Sequence, residues 1–322
     1  MSTLYVDRKN IELRLDGGRL RVYEGGHFTT TIPVAMLDQI VIRRHALVDT
    51  RVLSALAEHG AGFIVIDPLR DKRTACLAGV GQTMAGRRVS QYARSSDEAW
   101  CSGWARTLVR SKVQRQHQFL TRALLQRPDQ RHDLCRALDG LKKALATLHD
   151  ETALSCASIR GIEGSASAAY FRGFRSLFAP SLRFLDRNRR PPRDPVNACL
   201  SLAYTLVHAE TVKAIRFAGL DPLIGFYHEL LFGRESLACD LVEPLRPRMD
   251  EWVWSLFRER TLRVESFSEM GEGCLLGKQG RKAFYASYET VAMSLRKQLR
   301  RMLRLVVRAL EVGPLSERSE TA

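Results

Sequence analysis

Long apolar runs are missing from this chain. Nothing in its 322 residues approaches the roughly 18 consecutive apolar positions of a membrane-spanning helix, so no membrane protein is expected. An apolar leader is missing too. Met1 to Asn10 runs straight into Asp7, Arg8 and Lys9, which argues against export by the usual route and for a cytoplasmic protein. Closely spaced cysteines are absent. The seven, at 76, 101, 135, 156, 199, 239 and 274, never come nearer than 21 residues, which excludes a Cys-x-x-Cys zinc or redox pair. They read as reduced thiols, mostly buried as small apolar groups. Acidic side chains are short as well: 35 Asp and Glu against 50 Lys and Arg leave a formal charge of +15. That excess makes nucleic acid the first partner to consider.

What is there is an ordinary globular mixture. With 45% apolar and 26% charged residues, a mostly disordered chain is excluded. The first 80 or so residues carry a period of two. Ile11, Leu13 and Leu15 alternate with Glu12 and Arg14, Asp16-Gly17-Gly18 follows, and Leu20 and Val22 alternate with Arg19 and Arg21, the pattern of a β-hairpin. Further short strands are expected at 29–34, 39–42, 63–66 and 74–77, with one short helix around Val52–Ala57 that Gly60 stops. From about residue 95 the period becomes 3.6. Helices are predicted over 100–125, 134–148, 167–177, 195–217, 237–257 and 282–310, the fourth capped by Asp194 with Pro195 in its first turn. The fold class is therefore α+β: a β-rich domain over 1–85, a linker over 86–96, an α-helical domain over 97–312, and a disordered tail over 313–322.

The basic residues are clustered. Arg296, Arg300, Arg304 and Arg308 fall every fourth position beside an apolar face of Leu295, Leu299, Met302, Leu303, Val306 and Leu310. Like charges at that spacing repel, so an anionic partner explains the stripe as readily as a solvated face does. Arg187, Arg189, Arg190 and Arg193 crowd a loop stiffened by Pro191 and Pro192, where guanidiniums suit phosphate oxygens or the neighbouring Asp186 and Asp194. A third group is Arg106, Arg110, Lys112, Arg115 and Arg122 on the first long helix. Gly273-Cys-Leu-Leu-Gly277-Lys278 is one residue short of a phosphate loop and lacks its Ser or Thr. It reads as a loop and helix start, with Lys278 a candidate phosphate contact.

Candidate chemistry rests on four residues. Glu163 sits between Gly161 and Gly164, a setting that suits a turn or a close backbone approach. His228 begins His-Glu-Leu-Leu-Phe232, where Phe232 replaces the second histidine of a zincin helix and removes that reading. Asp240 and Glu243 are three apart among apolar neighbours, which on a helix puts two costly carboxylates on one face. Carboxylates with one imidazole suit Mg²⁺ or Mn²⁺ better than zinc, and such an ion beside basic helices makes phosphodiester chemistry plausible. A non-catalytic basic DNA-binding scaffold would also account for the charge.

Three segments carry a resemblance. They are Arg160 to Phe171; Arg189 to Asn197 with Leu200, Ser201 and Tyr204; and Gly219-Leu-Asp-Pro222 through Gly225-Phe-Tyr-His228, Gly233 to Ala238, Asp240, Leu241, Glu243 and Arg246-Pro247. Together they resemble the CRISPR-associated integrase/endonuclease, the catalytic subunit of spacer acquisition. The resemblance implies a homodimer built through the β domain, with catalysis in the helical one. It implies assembly with a small ferredoxin-like partner protein and double-stranded DNA. It places divalent-ion ligands on Glu163, His228 and Glu243, with Asp240 assisting. The implied reaction is attack of a 3′-hydroxyl on a phosphodiester at the repeat boundary, with metal-dependent cleavage of DNA as the hydrolytic counterpart. A general repair or recombination nuclease on the same fold is the nearest alternative. Pro244, directly after Glu243, either kinks the helix or opens a new turn.

Overall fold

The computed structural model describes residues 2–66, 75–77, 85–150, 154–188, 191–271 and 273–311. Arg189, Arg190 and the tail from 313 lie outside the described residues. The chain divides into two compact units. One takes in residues 1–91, 209–222 and the chain from 303; the other takes in 92–208 and 223–302.

The first unit holds β1 (Ser2–Val6), β2 (Ile11–Asp16), β3 (Arg19–Glu24), β4 (His27–Pro33), β5 (Leu37–Ile42), β6 (Ala46–Val48), helix α1 (Thr50–Glu58), β7 (Gly62–Val65) and β8 (Ala75–Leu77). One sheet has the order β1-β5-β7-β8, its first three strands parallel and β8 antiparallel; the other runs β4-β3-β2-β6. The β2–β3 hairpin pairs Asp16 with Arg19, so its two loop residues are Gly17 and Gly18, at φ 54° and 72°. A tight hairpin turn requires that left-handed pair, which side chains oppose. Alternation then buries Ile11, Leu13, Leu20 and Val22 against Leu37, Ile40, Ile42, Val52 and Leu56. Asp49 accepts from Arg51 N at 2.9 Å to start α1, and Gly60 at φ 65° ends it. Beyond the expected strands, β1 and β6 are present. The stretch read as a linker forms helix α2 (Ala85–Ser95).

The helices that follow are α3 (Glu98–Gln126), α4 (Arg131–His149), α5 (Cys156–Ser176), α6 (Pro195–Phe217), α7 (Ser236–Val242) and α8 (Arg246–Arg258). A hairpin of β9 (Phe267–Met270) and β10 (Gly273–Leu276) precedes α9 (Lys278–Glu311). The segment likened to a phosphate loop is thus strand β10 leading into α9. α6 starts as predicted, with Asn197 N donating to Asp194 Oδ1 at 2.8 Å. α4 and α5 meet at glycines: a Cβ on Gly140 would stand 2.7 Å from Ala169 Cβ, and one on Gly173 2.6 Å from Ala137 Cβ. Phe119, Tyr170, Phe174 and Trp254 fill the core around them, with the Tyr170 and Phe174 rings stacked at 5.7 Å. Of the six cysteines whose side chains are described, Cys199 and Cys274 are buried and the other four half-buried, and all six are free thiols.

Candidate active site

The four candidate residues all lie in the helical unit. Glu163 is not on a turn. It stands in the middle of α5, which begins eleven residues before the predicted Ser167. Gly161, Gly164 and the small residues between Ser155 and Ala169 conceal that helix, because glycine is among its poorest formers. A Cβ on either glycine would meet nothing within 4 Å, so the face beside Glu163 is open rather than closely approached.

His228 lies in the loop between α6 and α7, whose shape depends on Gly225. A Cβ there would stand 2.7 Å from Ser236 C and 2.9 Å from Leu237 N, so glycine is what lets the loop lie against the start of α7. Phe226 anchors it from the other side, edge-on to Trp100 and Trp104 at 6.1 and 5.5 Å. Held there, three successive backbone N–H groups meet the fully buried Asp240. Phe226 N (2.8 Å) and Tyr227 N (3.1 Å) donate to Oδ2, and His228 N (3.0 Å) donates to Oδ1. His228 Nδ1 lies 2.7 Å from the same Oδ1. A carboxylate surrounded by donors accepts there, so in the neutral ring Nδ1 carries the proton and Nε2 keeps the lone pair.

Glu243 does not share the direction of Asp240. The predicted helix over 237–257 is interrupted: α7 stops at Val242, residues Glu243–Leu245 form a 3-10 turn with Pro244 in its first turn, and α8 begins at Arg246. Pro244 and Pro247 supply no N–H, so the carbonyls of Asp240 and Glu243 lose their α-helical donors. Arg246 N closes the tighter turn onto Glu243 O, and Arg115 donates to the Pro244 carbonyl at 2.9 Å.

Between Glu163 and Glu243 lies a member of the third basic cluster. Lys112 Nζ is 2.5 Å from Glu163 Oε1 and 2.6 Å from Glu243 Oε2, with its side chain 9% exposed. It donates a hydrogen bond to Glu163. Toward Glu243 Oε2 it makes a close ion pair. The other Glu243 oxygen meets Arg246 at 3.1 Å. Burial pushes the Glu243 carboxyl up, but Arg246 and Lys112 together outweigh it and bring it to about 2. Burial pulls the Lys112 ammonium down, and the two carboxylates more than restore it. Tyr227 OH donates to Glu163 Oε2 at 2.5 Å; its own burial and that bond raise the phenol.

Behind the carboxylates stands a buried polar chain. The Arg246 guanidinium lies 4.8 Å over the Tyr204 ring, and the hydroxyls of Tyr204 and Tyr170 both donate to Asp250, the latter at 2.8 Å. Sequence spacing did not bring out Lys112, Tyr227 or this chain. One signal was present for Lys112: it interrupts the apolar face of Ala105, Leu108, Val109, Val113, Phe119 and Leu120, where a lone cation needs buried acids.

Among the described residues, no three His, Cys, Asp or Glu side chains are placed to share one metal ion. The donor types nevertheless fit a hard divalent cation. Two carboxylates already share one positive charge, and the imidazole is fixed through Nδ1 by a carboxylate, the usual support of a metal-binding histidine.

The predicted DNA contacts fare unevenly. Lys278, Arg193, Arg300 and Arg304 are exposed. Arg296 is half-buried and pairs with Glu289 at 3.2 Å. Arg187 is turned inward. Its guanidinium donates to Asn197 Oδ1 (2.7 Å) and Ser201 Oγ (3.2 Å) and lies 5.4 Å over Tyr204, so it braces its loop instead of presenting a charge. In the third cluster Arg122 pairs with Glu251 at 2.7 Å, and Arg115 and Lys112 face the site.

Known proteins can be set beside this geometry. The family described as CRISPR associated protein Cas1 matches residues 4–290. A CRISPR-associated endonuclease Cas1 of Thermodesulfovibrio yellowstonii is 40% identical over 297 residues, covering 90% of this chain and 91% of that one. One from Thermus thermophilus is 33% identical over 292 residues, covering 90% and 84%. Among solved structures, a Cas1 protein from Thermotoga maritima matches with a TM-score of 0.83 over 98% of each chain at 21% identity. A casposase bound to integration product matches at 0.80 over 96% of this chain and 91% of that one, at 20% identity. The structural likenesses show the fold, α+β with its strands first, and the sequence matches show the descent: this chain belongs to the CRISPR-associated Cas1 family.

Proposed function

We propose that this chain is the integrase/endonuclease of CRISPR adaptation, joining a 3′-hydroxyl of a short captured DNA to a phosphodiester of the array and cleaving DNA in the related hydrolysis. The observation that supports this reading is the joining of Glu163 and Glu243 through Lys112, with Tyr227 bonded to Glu163 and the His228–Asp240 pair one residue further on, in a strongly basic family member. Relatives support it. Two are endonucleases by name, one structural neighbour is a casposase with an integration product, and others are a Cas6-RT-Cas1–Cas2 complex and a TtCas1–DNA complex. DNA, a second copy of the chain and a small ferredoxin-like protein are accordingly its partners in this reading.

Glu163, Glu243 and His228 Nε2 would hold Mg²⁺ or Mn²⁺, which when bound polarises the phosphate and eases deprotonation of the attacking hydroxyl. The chain's own work is orientation. Asp240 spends its oxygens on three backbone N–H groups and on His228 Nδ1, which fixes the tautomer and the direction of Nε2. Asp240 is therefore a positioning residue and not a ligand. Tyr227 OH fixes Glu163, and Arg246, braced by Tyr204, fixes Glu243. Lys278, Arg193, Arg300 and Arg304 supply salt-sensitive affinity for phosphates without reading sequence.

His228→Ala and Glu163→Gln are expected to abolish Mn²⁺-dependent strand transfer on repeat-containing DNA while leaving DNA affinity within about twofold of the parent. Full activity in either variant, or in excess chelator, would rule the mechanism out. A scaffold without chemistry predicts salt-dependent binding and no product under any metal. A repair nuclease predicts preference for branched over repeat-containing DNA.

A further inference from the structure

Lys112 belongs to neither the DNA surface nor the core. It sits on the inner face of α3 with its ammonium within 2.6 Å of oxygens from Glu163 and Glu243, two acids that come from α5 and from the turn between α7 and α8. These carboxylates repel unless a cation joins them, and in this arrangement the cation is a side chain of the protein itself. A divalent ion that uses both carboxylates needs the space that Nζ fills.

We propose that Lys112 is an internal counter-cation of the Glu163–Glu243 pair, which a divalent ion must displace in order to bind. This rests on the reading of those two acids as metal ligands and adds a competitor to it. The chemistry of lysine suits the task. An ammonium on a flexible four-carbon stem can leave a carboxylate without breaking the planar fork that an arginine would form there. Arg246, by contrast, is stacked on Tyr204 and stays with the outer oxygen of Glu243. Two consequences follow. Apparent metal affinity is set below what the carboxylates alone would give. The pocket also keeps its shape before a metal arrives, since the acids are already drawn toward one point.

The test is Mn²⁺ binding to the full chain without DNA, read by electron paramagnetic resonance and calorimetry, for the parent, Lys112→Met and Lys112→Gln. Loss of a charged hydrogen-bonding competitor is expected to tighten Mn²⁺ about tenfold or more. In chelator both variants should melt below the parent, and Mn²⁺ should raise their Tm by more than it raises the parent's. The sign separates this role from a structural one, because a variant that merely damages the pocket binds metal more weakly. Unchanged or weaker Mn²⁺ binding in a folded variant overturns the proposal. If one variant does not fold, the other carries the comparison. The underlying reading fails differently: Glu163→Gln and Glu243→Gln would then leave the parent's Mn²⁺ affinity intact.

Discussion

Asp240 and Asp250 are both buried acids, held by different partners. Asp240 is surrounded by donors from the loop and from His228, so Asp240→Asn replaces an acceptor with an amide NH₂ that opposes one of those donors. Strand transfer and Mn²⁺ affinity are each expected to fall about 10- to 100-fold in that variant with DNA binding unchanged, and parallel kinetic and metal titrations check it. Burial lifts the Asp250 carboxyl to about 6, and the hydroxyls of Tyr204 and Tyr170 and the Arg246 charge only partly offset this. The folded state then keeps a proton that the unfolded state has released between about pH 4 and 6, so this group costs stability as pH rises through that window. Asp250→Asn should flatten that decline, worth about 3 kcal/mol, in urea melts run across the window. A steeper decline in the variant would contradict the assignment. Residue types and spacing brought Glu163, His228, Asp240 and Glu243 forward. They could not reveal that Asp240 serves the loop, or that Lys112 and not an empty space lies between the glutamates, because those partners are set by tertiary packing.

Two glycines show how element and site depend on each other. Gly225 is pressed against the start of α7, whereas Gly164 faces open space on α5. Gly225→Ala should destabilise the fold by about 1–3 kcal/mol and remove strand transfer, because the loop must lift off Asp240. Gly164→Ala should instead raise stability by about 1 kcal/mol, as helix propensity dictates where nothing is displaced. Thermal melts of both distinguish the cases, and a destabilised Gly164→Ala would mean that the face is not open. Elements with strong local signals were legible: the β2–β3 hairpin from its Gly-Gly turn, α6 from Asp194 and Pro195, and α9 from its apolar stripe. Those with weak ones were not. α5 is diluted by glycine and serine, α2 has one buried residue to mark its period, and the break at Glu243–Leu245 lies inside a continuous apolar rhythm.

On the scale of the molecule, the positive charge is divided between bracing and reaching outward. Arg300→Ala and Arg304→Ala are each expected to weaken DNA binding at every sequence and lower the salt slope by about one. Arg187→Ala is expected to lower Tm with little change in that slope, since its guanidinium is spent on Asn197 and Ser201. Affinities measured over a salt series, with melts alongside, separate the two groups; an unaltered slope in both surface variants would remove the stripe from the interface. The grip of α3 on the interrupted helix reaches further still. Arg115 and Lys112, one turn apart, hold Pro244 and Glu243 across 129 and 131 residues of chain. A contact between segments so distant in the chain exists only with the tertiary packing of the helical unit. Anything that loosens that packing therefore parts Lys112 from Glu243 and takes the arrangement of the carboxylates with it, while the exposed cations of α9 stay where they are.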